Sequence, residues 1–109
     1  MITLYGIPTC DTCKKAIKAL EGAGREVTFR DVRATPLSED EWAVLIAEFG
    51  TNLVNTKSTT YRSMSDWLKA SEAEAQLAAQ PTVMKRPVIV DSKSMYLGWD
   101  ADVQAALLG

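Results

Sequence analysis

The sequence has no histidine and only two cysteines among its 109 residues. Without an imidazole, the chain has no serine–histidine triad, no histidine-ligated zinc and no histidine general base. A structural zinc site takes four cysteine or histidine ligands, so a single copy of the chain does not complete one, and we expect no metal site. Any chemistry must therefore come from thiols, carboxylates, lysines or arginines.

Long apolar runs and a net positive charge are also missing. No stretch approaches the roughly 20 apolar residues of a membrane-spanning helix, and the opening MITLYG lacks the basic and apolar segments of a signal peptide. The 12 basic and 14 acidic residues give a net charge of −2, whereas binding along a phosphate backbone needs a basic face. We expect a cytosolic monomer that contacts neither a membrane nor nucleic acid directly.

The rest of the composition is that of an ordinary globular protein. Hydrophobic residues make up 47 % and charged residues 24 % of the chain, which excludes disorder, a coiled coil and a collagen-like fibre. A chain of this length buries enough surface for one modest core. We therefore predict a single domain over residues 1–109.

The opening of the chain predicts a strand, a helix and a second strand. Apolar and polar residues alternate from Ile2 to Tyr5 and again from Val27 to Arg30, as in half-buried strands. From Asp11 the apolar residues recur at helical spacing instead, and Gly22 and Gly24 end the helix. The face of this helix that we expect to be buried carries Cys13, Ile17, Leu20 and Gly24. A strand–helix–strand unit of this kind pairs its strands in parallel.

The middle of the chain predicts helices that begin at capping boxes, in which a serine and a glutamate three residues later cap the helix together. Ser38 and Glu41 form the clearest box, and Ser71 with Glu74 is expected to form another. Residues 52–62 are polar and rich in threonine. We interpret them as irregular or short-helical.

The end of the chain predicts two strands and a helix. Val88 to Val90 is an unbroken β-branched run, which is typical of a strand buried on both faces. Met95 to Leu97 returns as its antiparallel partner, and Asp100 caps a terminal helix. The element order is therefore β-α-β, a helical insertion, then β-β-α, which predicts an α/β fold.

A Cys10-x-x-Cys13 pair lies where the loop after the first strand meets the first helix. Unpaired backbone N–H groups and the helix dipole favour an anion at that end, so we expect Cys10 to be the reactive thiolate. Cys13 lies one turn later on the inward face, close enough to form a disulfide with Cys10. The pattern predicts an attacking and a resolving thiol, which are the catalytic residues and form the redox-active disulfide.

Simpler interpretations of these features stay open. Buried cysteines often serve only as small apolar core residues, and a zinc site shared between two chains would also use them. Both cysteines of the chain fall in one C-x-x-C after a strand, which favours redox chemistry. At Arg86-Pro87, just before the buried strand, either the proline is cis or it simply begins the strand beside a solvated arginine.

Three motifs stand in order along the chain. They are YGIPTCDTCKKA at the start, LVNTKSTTYRSM in the middle, and KRPVIV followed by YLGW near the end. Together they cover essentially the whole chain, which resembles the arsenate reductase-related ArsC/Spx family and most of all its YffB-like branch. The resemblance implies a thioredoxin-like fold, with a four-stranded mixed sheet and a helical insertion between its βαβ and ββα halves.

The resemblance also implies roles for particular residues. Pro87 would be a cis proline that faces the active cysteine, and Arg86 would stabilise the thiolate or hold an anionic substrate. The other residues that it places at the substrate or the thiolate are Asn55, Thr56 and Lys57.

Arsenate reductases of this family hold the oxyanion with three arginines, and only Arg86 corresponds to one of them in this sequence. Asn55 and Trp99 occupy the other two positions. A pocket without two of its guanidinium groups loses most of its charge-assisted, bidentate hydrogen bonds. The resemblance therefore favours thiol–disulfide reduction over arsenate reduction.

The expected function is thus that of a cytosolic thiol–disulfide oxidoreductase. It would need no bound cofactor, with glutathione as a candidate co-substrate, and its partner would be a small thiol or a thiol–disulfide reductase. The alternative is an Spx-like redox-sensing regulator that binds RNA polymerase, because Spx proteins share the cysteine pair and a string of Asn, Thr, Lys or Arg, Ser and Thr. Arsenate reduction is a third, weaker alternative.

Overall fold

The computed structural model describes residues 1–92 and 94–109. Within them, the chain divides into two compact units. One unit comprises Met1–Asp31 with Arg86–Gly109, and the other comprises Val32–Lys85. The single domain expected over residues 1–109 stays a prediction. In the described residues, no helix is both long and apolar enough to cross a lipid bilayer.

The first unit is built on a four-stranded sheet with the order β2-β1-β3-β4. Its strands are β1 (Ile2–Gly6), β2 (Val27–Asp31), β3 (Val88–Asp91) and β4 (Ser94–Leu97). β1 runs parallel to β2 and antiparallel to β3, and β3 is antiparallel to β4. The sheet is mixed, so the predicted parallel opening unit and the predicted antiparallel pair near the end are both confirmed.

Two helices complete this unit, α1 (Asp11–Gly22) and α6 (Ala101–Leu108), and they contact each other. α6 begins as predicted, since the Asp100 carboxylate accepts a 2.9 Å hydrogen bond from the Val103 N–H. The unit therefore contains both the β-α-β opening and the β-β-α ending that the sequence predicts. The fold is of the α/β, thioredoxin-like class, as expected.

The core of the first unit joins alternate residues of β1 to the inner face of α1. That face carries Cys13, Ala16 and Leu20, whereas the sequence prediction placed Ile17 and Gly24 on it. Ile17 is half-buried and Gly24 lies beyond the helix. The prediction followed the i+4 spacing, but residues at i+3 lie on the same helix face. The buried core residues are Ile2, Leu4, Cys13, Ala16, Leu20, Ile89, Val103 and Leu107.

The second unit is helical. α2 (Glu39–Phe49) begins at the predicted capping box, in which the Glu41 N–H donates to Ser38 Oγ at 3.2 Å and the Ser38 N–H donates to Glu41 Oε1 at 2.9 Å. The shorter elements are the 3₁₀ turns Gly50–Leu53 and Pro81–Val83, and α3 (Thr59–Arg62), α4 (Asp66–Lys69) and α5 (Ala73–Ala79).

The capping box predicted at Ser71 and Glu74 is wrong. Glu72 is the residue before α5, and the Ser71 hydroxyl instead donates a 2.9 Å hydrogen bond to the Trp67 carbonyl at the end of α4. The buried Gln76 side chain donates to the carbonyls of the last two residues of α4, at 3.1 Å each. Ser71 therefore closes the helix that precedes it rather than opening the one that follows.

Candidate redox site

Cys10 lies immediately before α1, with an extended backbone (φ −81°, ψ 114°). Its N–H donates to the Ile7 carbonyl at 3.2 Å, and its carbonyl accepts from the Lys14 N–H at 3.1 Å. The Cys10 side chain is half-buried. It thus occupies the end of the helix at which backbone N–H groups and the dipole favour a negative charge.

Cys13 lies one turn further along α1 and is only 1 % exposed. The two cysteine side chains lie 3.3 Å apart, and both are free thiols. A disulfide bond is about 2.0 Å long, so its formation requires a movement on the order of 1 Å. Cys10 is the residue just before α1 and Cys13 lies in the first turn of that helix, so the two sulfurs are already close.

The pKa of Cys13 is raised from 9.0 to about 12. Burial is the largest cause, followed by the hydrogen bond to Cys10; the negative charge of a Cys10 thiolate acts in the same direction. A hydrogen bond from the Ile7 backbone and the positive charge of Arg86 oppose the shift. Cys13 therefore stays protonated near neutral pH, and Cys10 is the more accessible of the two thiols.

Gly6 and Ile7 contact the cysteine pair, and the sequence analysis did not single them out. Gly6 is the last residue of β1, and a Cβ built on it would overlap the Sγ of Cys13. Ile7 follows it and contacts both cysteines through its backbone. The sequence offers only one signal for this contact, a glycine placed just ahead of a C-x-x-C.

Arg86 and Pro87 belong to the same unit as the cysteines. The Arg86–Pro87 peptide bond is cis, which is the isomer that the resemblance implies. Pro87 is buried and Arg86 is half-buried. Because the charge of Arg86 lowers the pKa of Cys13, this guanidinium acts electrostatically on the buried thiol.

Trp99 packs against the core cluster that contains Cys13 and is half-buried. Its carbonyl accepts a 3.0 Å hydrogen bond from Gln104 Nε2 of α6. Cys10 also packs against that cluster. Trp99, to which the resemblance assigns the position of an arginine in arsenate reductases, thus contributes an apolar ring to this unit.

Asn55, Thr56 and Lys57 lie in the second unit, where they form a turn. The Asn55 side-chain oxygen accepts from the Lys57 N–H at 3.1 Å, and the Asn55 N–H donates to the Val83 carbonyl at 2.8 Å. Thr56 and Lys57 are exposed. Their contribution to substrate binding stays a prediction.

A zinc site shared between two chains would use Cys10 and Cys13 as two of its four ligands. In the described ranges 1–92 and 94–109, no three His, Cys, Asp or Glu side chains are grouped so that they could hold a metal ion. Each chain would therefore contribute only its two thiols. This alternative to redox chemistry also stays a prediction.

Comparison with known proteins gives matches over almost the whole chain. The profile of the ArsC family matches residues 5–107. A protein of Haemophilus influenzae, named only as uncharacterized, is 38 % identical over 112 residues, which cover 97 % of this chain and 98 % of that protein. The global transcriptional regulator Spx of Streptococcus mutans is 31 % identical over 116 residues, which cover 99 % of this chain and 83 % of the regulator.

Among solved structures, the chain is similar to that of the YFFB (PA3664) protein. The two superpose with a TM-score of 0.89 at 32 % sequence identity, and the match covers 100 % of both chains. The similarity therefore extends over both compact units as well as over the motifs around the cysteines.

Proposed function

The chain belongs to the ArsC family, within its YffB-like branch, and on that premise we propose that it is a thiol–disulfide oxidoreductase with Cys10 and Cys13 as its redox pair. Membership of the family supports a thiol-redox or Spx-like role. The observation that carries the finer proposal is the asymmetry of the pair. One thiol is accessible at a helix N-terminus, and the other is buried and protonated 3.3 Å away.

In the proposed reaction, the Cys10 thiolate attacks one sulfur of a substrate disulfide, R–S–S–R′, and releases R′S⁻. Cys13 loses its proton to solvent and attacks the Cys10 sulfur of the mixed disulfide. This step releases RS⁻ and closes the Cys10–Cys13 bond, so two electrons pass from the dithiol to the substrate. Two glutathione molecules restore the dithiol and leave as glutathione disulfide.

Glutathione suits the proposal as the electron donor for electrostatic reasons. It is an anionic thiol, and Arg86 supplies a positive charge beside the cysteine pair. Lys14 follows Cys10 by one helical turn and is exposed. The proposal places the protein in the cytosol, where glutathione keeps thiols reduced.

The test uses the Cys13→Ser variant, which has an attacking thiol but no resolving one. Incubated with glutathione disulfide, it should accumulate one glutathione on Cys10, detectable by intact mass and peptide mapping. Wild-type protein should resolve that adduct and form the internal disulfide. The Cys10→Ser variant is the matched control. Equal labelling of Cys10→Ser and Cys13→Ser proteins would contradict the assigned roles.

A second candidate is an Spx-like regulator, favoured by the 31 % identity with the Streptococcus mutans protein. Such a regulator would bind RNA polymerase, with the cysteine pair acting as a switch. Purified RNA polymerase can be passed over immobilised wild-type protein in its dithiol and disulfide forms. Retention that depends on the redox state, without a covalent link, would favour the regulator over the oxidoreductase.

A further inference from the structure

The sulfur of Cys13 fills the space in which any other residue at position 6 would have its side chain. A Cβ on Gly6 would overlap Cys13 Sγ, and it would lie 3.4 Å from Cys13 Cβ and 3.6 Å from Leu4 Cδ2. Gly6 is buried, and its φ is not in the left-handed region. The backbone conformation at position 6 therefore suits alanine. What excludes a side chain there is the Cys13 thiol.

Ile7 extends this contact to both cysteines. Its backbone hydrogen-bonds the Cys13 sulfur and favours the thiolate there. Its carbonyl accepts the Cys10 N–H at 3.2 Å. Gly6 and Ile7, which we call the β1 cradle, thus hold the buried sulfur from the strand side while α1 holds it from the other.

We propose that the β1 cradle positions Cys13 for the resolving step, with Gly6 setting the place of the sulfur by its lack of a side chain. This inference rests on the proposed function and names positioning residues for it. Gly6 and Ile7 act through Cys13 and do not touch the substrate themselves. Sulfur–sulfur attack is sensitive to placement, since a displacement of about 1 Å can cost a reaction roughly 100-fold in rate.

The raised pKa of Cys13 agrees with a resolving step that takes place only after Cys10 has reacted. While Cys10 is free, its hydrogen bond and its charge both raise the pKa of Cys13. A mixed disulfide on Cys10 removes that charge and weakens that bond, which leaves burial opposed by the Ile7 backbone and Arg86. The resolving thiolate therefore becomes easier to form at the stage when it is needed.

The experiment separates the two chemical steps with dithiobis-nitrobenzoate, an aromatic disulfide that releases a coloured thiolate. Attack by Cys10 releases one thiolate and leaves the other half of the reagent on Cys10. Attack by Cys13 then releases the second thiolate and closes the internal disulfide. We expect Gly6→Ala to leave the first phase within about twofold of wild type and to slow the second roughly 10- to 100-fold.

Gly22→Ala is the matched control, because a Cβ there would meet open space among the described residues. It should leave both phases unchanged. A second phase in Gly6→Ala that matches wild type would overturn the cradle and leave the proposed function standing. A first phase in the Cys10→Ser variant that is as fast as in wild type would instead contradict the proposed function.

A stability measurement covers the case in which Gly6→Ala folds poorly. The added Cβ and the Cys13 sulfur compete for one space, so Gly6→Ala should lower the urea midpoint much less in a Cys13→Ala background. An equal drop in both backgrounds would overturn the proposed contact between Gly6 and Cys13.

Discussion

The N–H of Gly98 donates a 2.8 Å hydrogen bond to the carbonyl oxygen of Pro87. This bond attaches the loop that carries Trp99 to the residue next to Arg86. Gly98 is buried and has a φ of +82°, a region that favours glycine over every residue with a Cβ. The position of Trp99 in the first unit therefore depends on a glycine one residue before it.

Replacing Gly98 with alanine should lower the free energy of unfolding by about 1–2 kcal/mol, because a left-handed backbone costs that much once a Cβ is present. Urea denaturation of the variant measures the effect. The Gly22→Ala protein serves as the comparison, since Gly22 has no positive φ. Equal midpoints for the two variants would contradict the strain assigned to position 98.

Alkylation should distinguish the two cysteines. With its pKa raised to about 12, Cys13 is almost entirely protonated at pH 7. Iodoacetamide should therefore modify Cys10 first, and labelling of Cys13 should accelerate with pH throughout the alkaline range. Peptide mapping of the wild-type protein gives both rates with the two cysteines in place. A faster reaction at Cys13 would reverse the attacking and resolving roles.

Arg86→Ala should slow disulfide exchange, because it removes a positive charge that lowers the pKa of Cys13. Arg86 is half-buried and precedes β3 by two residues, and we expect the free energy of unfolding to change by no more than about 1 kcal/mol. The rate of disulfide exchange and the free energy of unfolding in urea are measured on the same variant. Arg86→Lys should recover part of the rate. A large loss of stability with unchanged kinetics would make Arg86 structural.

Arsenate should be a poor substrate. The family resemblance implies that Asn55 and Trp99 replace two arginines of the arsenate reductases, and on that premise the oxyanion would lose two bidentate partners. Turnover coupled to glutathione and glutaredoxin should stay near background. Rapid turnover at low arsenate concentrations would contradict this prediction.

The ion pair between Arg25 and Asp91 should make stability depend on acidic pH. Arg25 Nη2 lies 2.9 Å from Asp91 Oδ2, and the Ser92 N–H with this guanidinium lowers the pKa of Asp91. A carboxylate with a lowered folded-state pKa stabilises the protein above its unfolded pKa of about 3.9, and that stability is lost as the pH falls further. Asp91→Asn should be less stable than wild type at pH 7, and the two should converge in acid. A difference that is unchanged in acid would assign the effect to something other than the charge.

Several local features were predictable from the sequence because each depends on residues three positions apart. The Ser38–Glu41 box and the Asp100 cap are of this kind, and both are present. The box predicted at Ser71 failed although its spacing is identical. Ser71 lies just after α4, and its hydroxyl donates a hydrogen bond to the Trp67 carbonyl of that helix. A short pattern does not say which of two neighbouring helices it will serve.

The sequence by itself determined which cysteine precedes the helix and that the other lies one turn later, because helical spacing is a local property. Helical spacing also placed Cys13 on the inward face, but only the tertiary structure decided that its pKa is raised and that its sulfur lies against Gly6. The extent of its burial and the strand–helix contact depend on how β1 packs against α1, which the spacing of residues along one element does not encode. The asymmetry between the two thiols is therefore a product of packing, built on a local motif that permits it.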